Sequence, residues 1–321
     1  MKNKVVLITT GGTIASQRNE NNLLESGKLS GEQILSMCRL EDKIDIELAD
    51  LFQLASMHIN FDNLNLLNKA IHKVFEDESV SGVVITHGTD SLEETAYFLE
   101  LTINDTRPIV VTGSQKSPND VGTDVYSNLR NALLVASDEQ SRNIGTCVVF
   151  NEKIINSKYV KKVHTSSIDA FGSIGYGILG YIDNDEVNIY QKPIKKEHYE
   201  IKDNYPYVEI VTSYLGANSK LLDYLYESKV NGVVLVGTGR GQITPDMTKA
   251  IEKLCSIGTK IVLTTSTDEG RVFPTYDYYG SANYLKNLGV IMGGDFNPKK
   301  ARIKLMLMLA NNDENYESFM H

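Results

Sequence analysis

The stretch Val5-Val6-Leu7-Ile8-Thr9-Thr10-Gly11-Gly12-Thr13-Ile14 decides the fold of this chain, because an apolar, β-branched run ends there at two glycines and a threonine. Such a run predicts a buried strand followed by a sharp turn. Neither glycine carries a Cβ, so another backbone or a ligand can approach closely. Because open α/β sheets bind ligands at the carboxyl ends of their strands, we expect Thr13 to present its hydroxyl there.

Three interpretations of this turn compete. An ordinary βα turn is common for a glycine-rich segment after a first strand. A dinucleotide site fits less well, because Gly11-Gly12-Thr13-Ile14-Ala15-Ser16 lacks the third spaced glycine and no acidic residue clearly ends a second strand about 20 residues on. The third interpretation is a threonine nucleophile.

The rest of the chain alternates short apolar strands with helical segments. The first half contains predicted strands at 82–86, 108–112 and 145–150, with helices at 92–101 and 124–137. The same alternation returns after residue 208. This order predicts parallel sheets covered by helices.

The length of 321 residues allows two domains of roughly 150 residues each. We predict an α/β fold with a larger N-terminal domain over 1–190, in which helices flank a mostly parallel sheet, and a smaller C-terminal α/β domain over 208–321. Residues 191–207 are charged and contain two prolines, which is typical of a linker.

Composition narrows the class of partner. The net charge is −9 and no basic block appears, which argues against nucleic acid and favours a small polar substrate. The N-terminus has no secretory signal and no run approaches the ~20 apolar residues of a membrane span. We therefore expect a soluble, cytoplasmic protein without a membrane partner, although a chain whose leader had been removed would look the same.

Metal binding is not expected. Cys38, Cys147 and Cys255 are far apart and lack CxxC spacing, so they indicate buried thiols in preference to a disulfide framework or a zinc site. The six histidines never pair at metal-ligand spacing.

A second turn, Gly88-Thr89-Asp90, also follows a predicted strand and delivers another threonine. A threonine hydroxyl is a poor nucleophile unless a base takes its proton, and a lysine could supply that base. A neighbouring aspartate could bind a substrate ammonium or orient the base. Backbone N–H groups in the two glycine turns could stabilise an oxyanion. The paired turns therefore suggest acyl transfer from an amide or ester.

These segments resemble a known family. Thr9-Thr10-Gly11-Gly12-Thr13-Ile14-Ala15 and Ile85-Thr86-His87-Gly88-Thr89-Asp90-Ser91-Leu92-Glu93-Glu94-Thr95-Ala96-Tyr97-Phe98-Leu99 look like the two signatures of the bacterial-type L-asparaginases. The resemblance continues through 113–114, 124–132, 175–182 and 297–302 and covers essentially the whole chain. It implies hydrolysis of L-asparagine to L-aspartate and ammonia through a β-aspartyl enzyme, without a cofactor. It also implies a homotetramer built as a pair of dimers, with sites shared between subunits.

The resemblance also assigns roles to individual residues. Thr13 matches the attacking threonine, and Thr89 matches a second threonine that works with a lysine, here Lys162; Lys161 beside it is expected to be solvated. Asp90 matches the carboxylate that holds the α-ammonium of the substrate, and Ser56 matches a serine that contacts its α-carboxylate. The predicted catalytic residues are Thr13, Thr89, Lys162 and Asp90, and the predicted substrate-binding residues are Ser56, Asp90, Gly12, Gly88 and Met57.

Several residues in and near the second turn could have purely structural roles. His87 is expected to support the turn and not to act as the base. Asp90 could cap the following helix, a common role for aspartate, either alone or in addition to binding the substrate. Glu93 and Glu94 fall in the first turn of that helix, where negative charge is favoured in any case. Lys162, without the resemblance, would be read as a surface lysine.

Four positions depart from the family pattern. The tyrosine of the family's flexible loop falls near Leu24, and residues 16–28 contain no tyrosine. Met57 stands where a hydrogen-bonding residue is common. Arg240 replaces an asparagine, and Ala282 lies where a neighbouring subunit's glutamate is expected. Substrate choice therefore stays open between an L-asparaginase and a mixed glutaminase-asparaginase that also accepts L-glutamine, and a catalytically silent amino-acid-binding protein of the same fold is a further alternative.

Overall fold

The computed structural model describes residues 2–15, 17–18, 21, 24–25, 32, 35, 38–40, 42–173, 175–194 and 197–320. The chain divides into two compact units, residues 1–198 and 199–321. The boundary between them falls inside the segment 191–207, whose role as a linker stays a prediction, as do the domain limits at 190 and 208.

The strands described in the first unit are β1 (Asn3–Gly11), β2 (Gln17–Arg18), β3 (Leu24–Glu25), β4 (Ile44–Leu54), β5 (Val80–Thr86), β6 (Ile109–Thr112), β7 (Thr146–Phe150), β8 (Lys153–Asn156), β9 (Val160–Lys162), β10 (Phe171–Ser173), β11 (Ile178–Asp183) and β12 (Glu186–Ile189). Eight of them form one sheet in the order β12-β11-β8-β7-β6-β5-β1-β4. The strands from β4 to β7 in this order pair in parallel, and β8, β11 and β12 join antiparallel. Two-stranded ribbons, β2 with β3 and β9 with β10, lie outside this sheet.

Helices cover both faces of this sheet. The helices described in the first unit are α1 (Phe61–Phe75), α2 (Leu92–Thr102) and α3 (Val125–Ser137). Val5 and Leu7 of β1 belong to the core that α3 covers, whereas Val6 and Ile8, on the opposite face because strand side chains alternate, are equally buried. Burial on both faces explains why β1 is a continuous apolar run and not an alternating one.

The second unit repeats the architecture on a smaller scale. Within residues 199–320, four parallel strands lie in sequence order: β13 (Val208–Thr212), β14 (Gly232–Gly237), β15 (Lys260–Thr265) and β16 (Ile291–Met292). The helices are α4 (Lys220–Glu227), α5 (Pro245–Ser256), α6 (Ala282–Asn287) and α7 (Pro298–Ala310). The predicted fold of two α/β domains, the larger one N-terminal, is confirmed. No helix among the described residues has both the length and the apolar character needed to cross a membrane.

Candidate active site

The turns after β1 and β5 touch each other through their backbones. The two strands pair in parallel with Thr9 opposite Thr86, and the Thr10 hydroxyl donates to the Thr86 carbonyl at 2.7 Å. Gly12 has a φ of +90°, and a Cβ placed on it would lie only 2.5 Å from the nitrogen of Gly88. This position therefore requires glycine, because a side chain would drive the two turns apart.

This contact brings the two predicted threonines onto adjacent turns. Thr13 follows Gly12 directly, opens a short 3-10 helix (Thr13–Ala15) and is half-buried. Thr89 follows Gly88 directly and is buried. Both hydroxyl-bearing residues thus stand at the carboxyl edge of the parallel strands, where ligands of open α/β sheets bind.

Lys162 reaches this edge from the β9–β10 ribbon. Its Nζ donates to Thr89 Oγ1 at 2.9 Å and to Asp90 Oδ1 at 2.7 Å. The lysine side chain is 18% exposed and the Asp90 side chain is 60% exposed. One oxygen of the Asp90 carboxylate therefore accepts from the lysine, and the rest of the carboxylate is open to solvent and can bind a second cation.

Asp90 does not cap the following helix. The N-cap of α2 is Ser91, and the Asp90 carboxylate pairs with Lys162 instead. The capping interpretation was wrong because a charged partner distant in sequence competes for the carboxylate. The Ser91 hydroxyl in turn donates to the backbone carbonyl of Ser56 at 2.7 Å and so ties the β5 turn to the segment after β4.

Ser56 lies against the β5 turn, whereas Met57 points away from the protein interior. Ser56 is buried, and a Cβ placed on Gly88 would lie 2.8 Å from the Ser56 Cβ and 2.9 Å from its Oγ. Met57, which is 70% exposed, follows in the same short 3-10 helix (Ser56–His58). The structure thus brings Gly12, Gly88, Ser56, Thr89, Asp90 and Lys162 together, with Met57 beside them at the surface.

His87 holds the β5 turn in shape. Its ring is fully buried, with Nδ1 at 2.8 Å from the Gly88 carbonyl and Nε2 at 2.9 Å from the Thr95 hydroxyl. Burial lowers the pKa of His87 to about 4, so the ring is neutral at pH 7. A carbonyl can only accept, so Nδ1 carries the proton and donates to Gly88, while Nε2 accepts from Thr95. Both ring nitrogens are therefore occupied, which supports a structural role over that of a base.

Sequence reasoning missed the residues that hold the loop after β6. The carboxylate of Asp124 accepts from the backbone nitrogens of Gln115 at 2.9 Å and Lys116 at 3.0 Å. The Asn128 side-chain amide donates to the Gly113 carbonyl at 2.9 Å. A Cβ on Gly113 would lie 2.5 Å from the His87 carbonyl, so this loop packs on the β5 turn. The sequence did contain one indication of this contact, because β6 is predicted to end at the same edge of the sheet as β5.

Two of the four departures lie in the second unit. Arg240, in the turn after β14, is exposed, and its Nη1 is 3.4 Å from the Thr275 hydroxyl. Ala282 is buried at the start of α6. Leu24 belongs to β3, but most of the segment 16–28 lies outside the described residues.

The arrangement is suited to nucleophilic acyl transfer. A threonine hydroxyl hydrogen-bonded to a lysine amine stands on one turn, a second threonine stands on the adjacent turn, and glycine backbone N–H groups lie nearby. Among the described residues, no group of three or more His, Cys, Asp or Glu side chains is arranged to hold a metal ion. The fold and the side chains at its edge thus define an α/β protein with a threonine–lysine site.

Comparison with known proteins agrees with this class. Residues 4–195 match the family described as asparaginase, N-terminal, and residues 207–318 match the glutaminase/asparaginase C-terminal domain. The chain belongs to the asparaginase family.

Individual relatives cover nearly all of the chain. An L-asparaginase of Bacillus licheniformis is 48% identical over 314 residues, which is 98% of each chain. L-asparaginase 2 of Bacillus subtilis is 31% identical over 96% of this chain and 83% of its own length. Among solved structures, the probable cytoplasmic L-asparaginase from Campylobacter jejuni superimposes with a TM-score of 0.88 at 30% identity, covering 99% of this chain and 98% of its own.

Proposed function

We propose that this protein hydrolyses L-asparagine to L-aspartate and ammonia through a β-aspartyl ester on Thr13. The observation that carries the proposal is the position of the Lys162 Nζ, which lies 2.9 Å from Thr89 Oγ1 and 2.7 Å from Asp90 Oδ1. Thr89 and Asp90 belong to the turn that touches the turn carrying Thr13. Relatives named L-asparaginase support the choice of substrate.

The chemistry proceeds in two steps. The Thr13 hydroxyl oxygen attacks the side-chain amide carbon of asparagine, and its proton passes to the Thr89–Lys162 pair, which acts as the base. Backbone N–H groups of the glycine turns stabilise the oxyanion, the C–N bond breaks, and the leaving nitrogen takes a proton to become ammonia. Water then attacks the ester, and aspartate leaves as the proton returns to Thr13. In this scheme Thr89 and Lys162 move the protons, and neither a cofactor nor a metal is needed.

Recognition of the amino acid rests on charged and polar groups at the same edge. The open face of the Asp90 carboxylate binds the α-ammonium, and Ser56, held against Gly88, contacts the α-carboxylate. Met57 offers only a thioether, a weak acceptor, beside this pair.

A mixed glutaminase-asparaginase is the second candidate. It is favoured by the exposed Met57, whose thioether supplies no strong hydrogen bond that would favour asparagine over a substrate one methylene longer. The match to a glutaminase/asparaginase C-terminal domain agrees with it. The proposal also includes a homotetramer built as a pair of dimers, with sites shared between subunits, and a cytoplasmic location; the Campylobacter neighbour is named a probable cytoplasmic L-asparaginase.

Ammonia release from L-asparagine and L-glutamine by the purified protein tests the proposal. We expect turnover of asparagine, a loss of roughly 10³-fold or more in Thr13→Ala, and retention of part of the activity in Thr13→Ser, which keeps the hydroxyl. Comparable kcat/KM values on the two amides would favour the mixed enzyme. A folded protein that binds an amino acid by calorimetry but releases no ammonia would instead be the silent binding protein.

A further inference from the structure

Lys162 is carried by the β9–β10 ribbon, which forms a two-stranded sheet of its own. In the β9–β10 pair, Lys162 lies opposite Phe171. Within the described residues, side chains attach this ribbon to the sheet: the Phe171 ring packs 4.8 Å from that of Phe150, and Lys153 on β8 pairs with Asp169 at 2.6 Å. Both attachments join the ribbon to β7 and β8, and neither includes α2 or the turn that carries Thr89.

Glu93 supplies a direct connection. Its Oε2 accepts from the backbone nitrogen of Lys162 at 3.1 Å, and the residue is only 3% exposed. It occupies the second position of α2, the helix that begins just after Thr89 and Asp90. The helix and the turn are continuous chain, so this carboxylate links the lysine's own backbone to the element that carries its hydroxyl partner.

The favourable field of the helix N-terminus does not by itself explain this burial. A carboxylate in the first turn gains a few tenths of a kcal/mol to about 1 kcal/mol even at the surface. Glu94, its neighbour in the same turn, is only partly buried. Removing a carboxylate from water is costly unless donors replace the water, and a hydrogen bond to an ionised acceptor is stronger than a neutral one. The Lys162 backbone N–H is such a donor.

We propose that Glu93 is a positioning residue, which sets the Lys162 amine against Thr89 by holding the lysine's backbone N–H from α2. This inference rests on the proposed function, because it concerns the same proton transfer. A displacement of about 1 Å between reacting groups can lower a rate by about 10²-fold, so the length of this side chain matters more than its charge.

Two substitutions separate length from charge. Glu93→Asp keeps the charge but is one methylene too short to reach Lys162, and we expect kcat on L-asparagine to fall about 10-fold to 100-fold with less than a 3-fold change in KM. Glu93→Gln loses the charge but keeps an acceptor oxygen at the same reach, and we expect kcat within about 3-fold of the unsubstituted protein. Thermal unfolding of both variants, measured alongside, reports whether they are equally folded.

Asp169→Asn is the matched control, because it removes another attachment of the ribbon without contacting Lys162. Its kcat should stay within about 2-fold of the unsubstituted value. The inference is overturned if Glu93→Asp keeps full kcat, if Glu93→Gln loses as much as Glu93→Asp, or if Asp169→Asn matches the loss. Thr13→Ala is measured in parallel: an inactive Thr13→Ala beside a fully active Glu93→Asp leaves the proposed function intact and rejects only the role of Glu93.

Discussion

The turn after β5 and the turn after β14 begin from the same pattern and end differently. Each follows a buried parallel strand and contains glycine. In the first, His87 and Thr89 are buried and are hydrogen-bonded to Thr95 and Lys162, which lie outside the turn. In the second, residues 238–240 are exposed, and the Arg240 Nη1 lies 3.4 Å from the Thr275 hydroxyl, at the limit of a hydrogen bond. A strand followed by a glycine turn therefore does not by itself make a preorganised site.

The difference comes from what surrounds each turn. The β5 turn is flanked by the turns after β1 and β6, whose Gly12 and Gly113 approach it at backbone distance. The β14 turn folds back on itself: Thr238 forms a bridge with Gln242, and a Cβ on Gly237 would lie 2.7 Å from Gly241. Neighbouring turns thus fix the side chains of the first. In the second, contacts from outside, such as the Thr265 hydroxyl that donates to the Gly239 carbonyl at 2.6 Å, hold the backbone and leave residues 238–240 exposed. Catalytic groups need the former arrangement, because their geometry must be set before the substrate binds.

The largest expected effect comes from removing the lysine that the β5 turn holds. Lys162→Met should lower kcat/KM on L-asparagine by roughly 10²-fold to 10⁴-fold, because Thr89 loses its proton partner and Asp90 its cation. Lys161→Met, one residue earlier on the same strand and therefore directed to the other face, should stay within about 3-fold. Equal losses in steady-state ammonia release by the two variants would contradict the assignment.

The sequence predicted the strands and turns that form this site better than the side-chain contacts within it. Strand ends and glycine turns follow from local pattern, so the edge carrying Thr13 and Thr89 could be predicted from apolar runs alone. Lys162 lies 73 residues from Thr89 and sits on a ribbon without a distinctive pattern, so only the family resemblance pointed to it. Local rules offered helix capping as an alternative role for Asp90 and gave Glu93 no role beyond the helix dipole, because neither rule considers a partner distant in sequence.

Glycine substitutions compare the surroundings of the two turns directly. Gly12 and Gly239 both have positive φ, +90° and +53°, but a Cβ meets backbone at 2.5 Å on Gly12 and nothing within 4 Å on Gly239. Gly12→Ala should lower ammonia release by about 10²-fold, because the Thr13 and Thr89 turns must separate. Gly239→Ala should cost roughly 1–2 kcal/mol of stability for the left-handed backbone and leave kcat within about 2-fold. Similar activity in the two variants would show that backbone strain, and not the contact between turns, decides the outcome.

The buried histidine predicts a smaller effect that depends on pH. The pKa of His87 is about 4 in the folded protein, against about 6.5 when exposed. As the pH falls from 6.5 to 4, the unfolded chain therefore takes up a proton that the folded protein refuses, and stability declines by up to roughly 3 kcal/mol before levelling off below pH 4. His87→Gln has no group that titrates in this window. Urea unfolding at pH 7 and pH 4.5 should show a smaller loss of stability in the variant, since carboxylates elsewhere titrate alike in both proteins. Parallel pH curves would mean that the ring takes up its proton as readily in the folded protein as in the unfolded chain. The protonated ring could not accept from Thr95, and the turn after β5 would then depend less on buried partners than its geometry indicates.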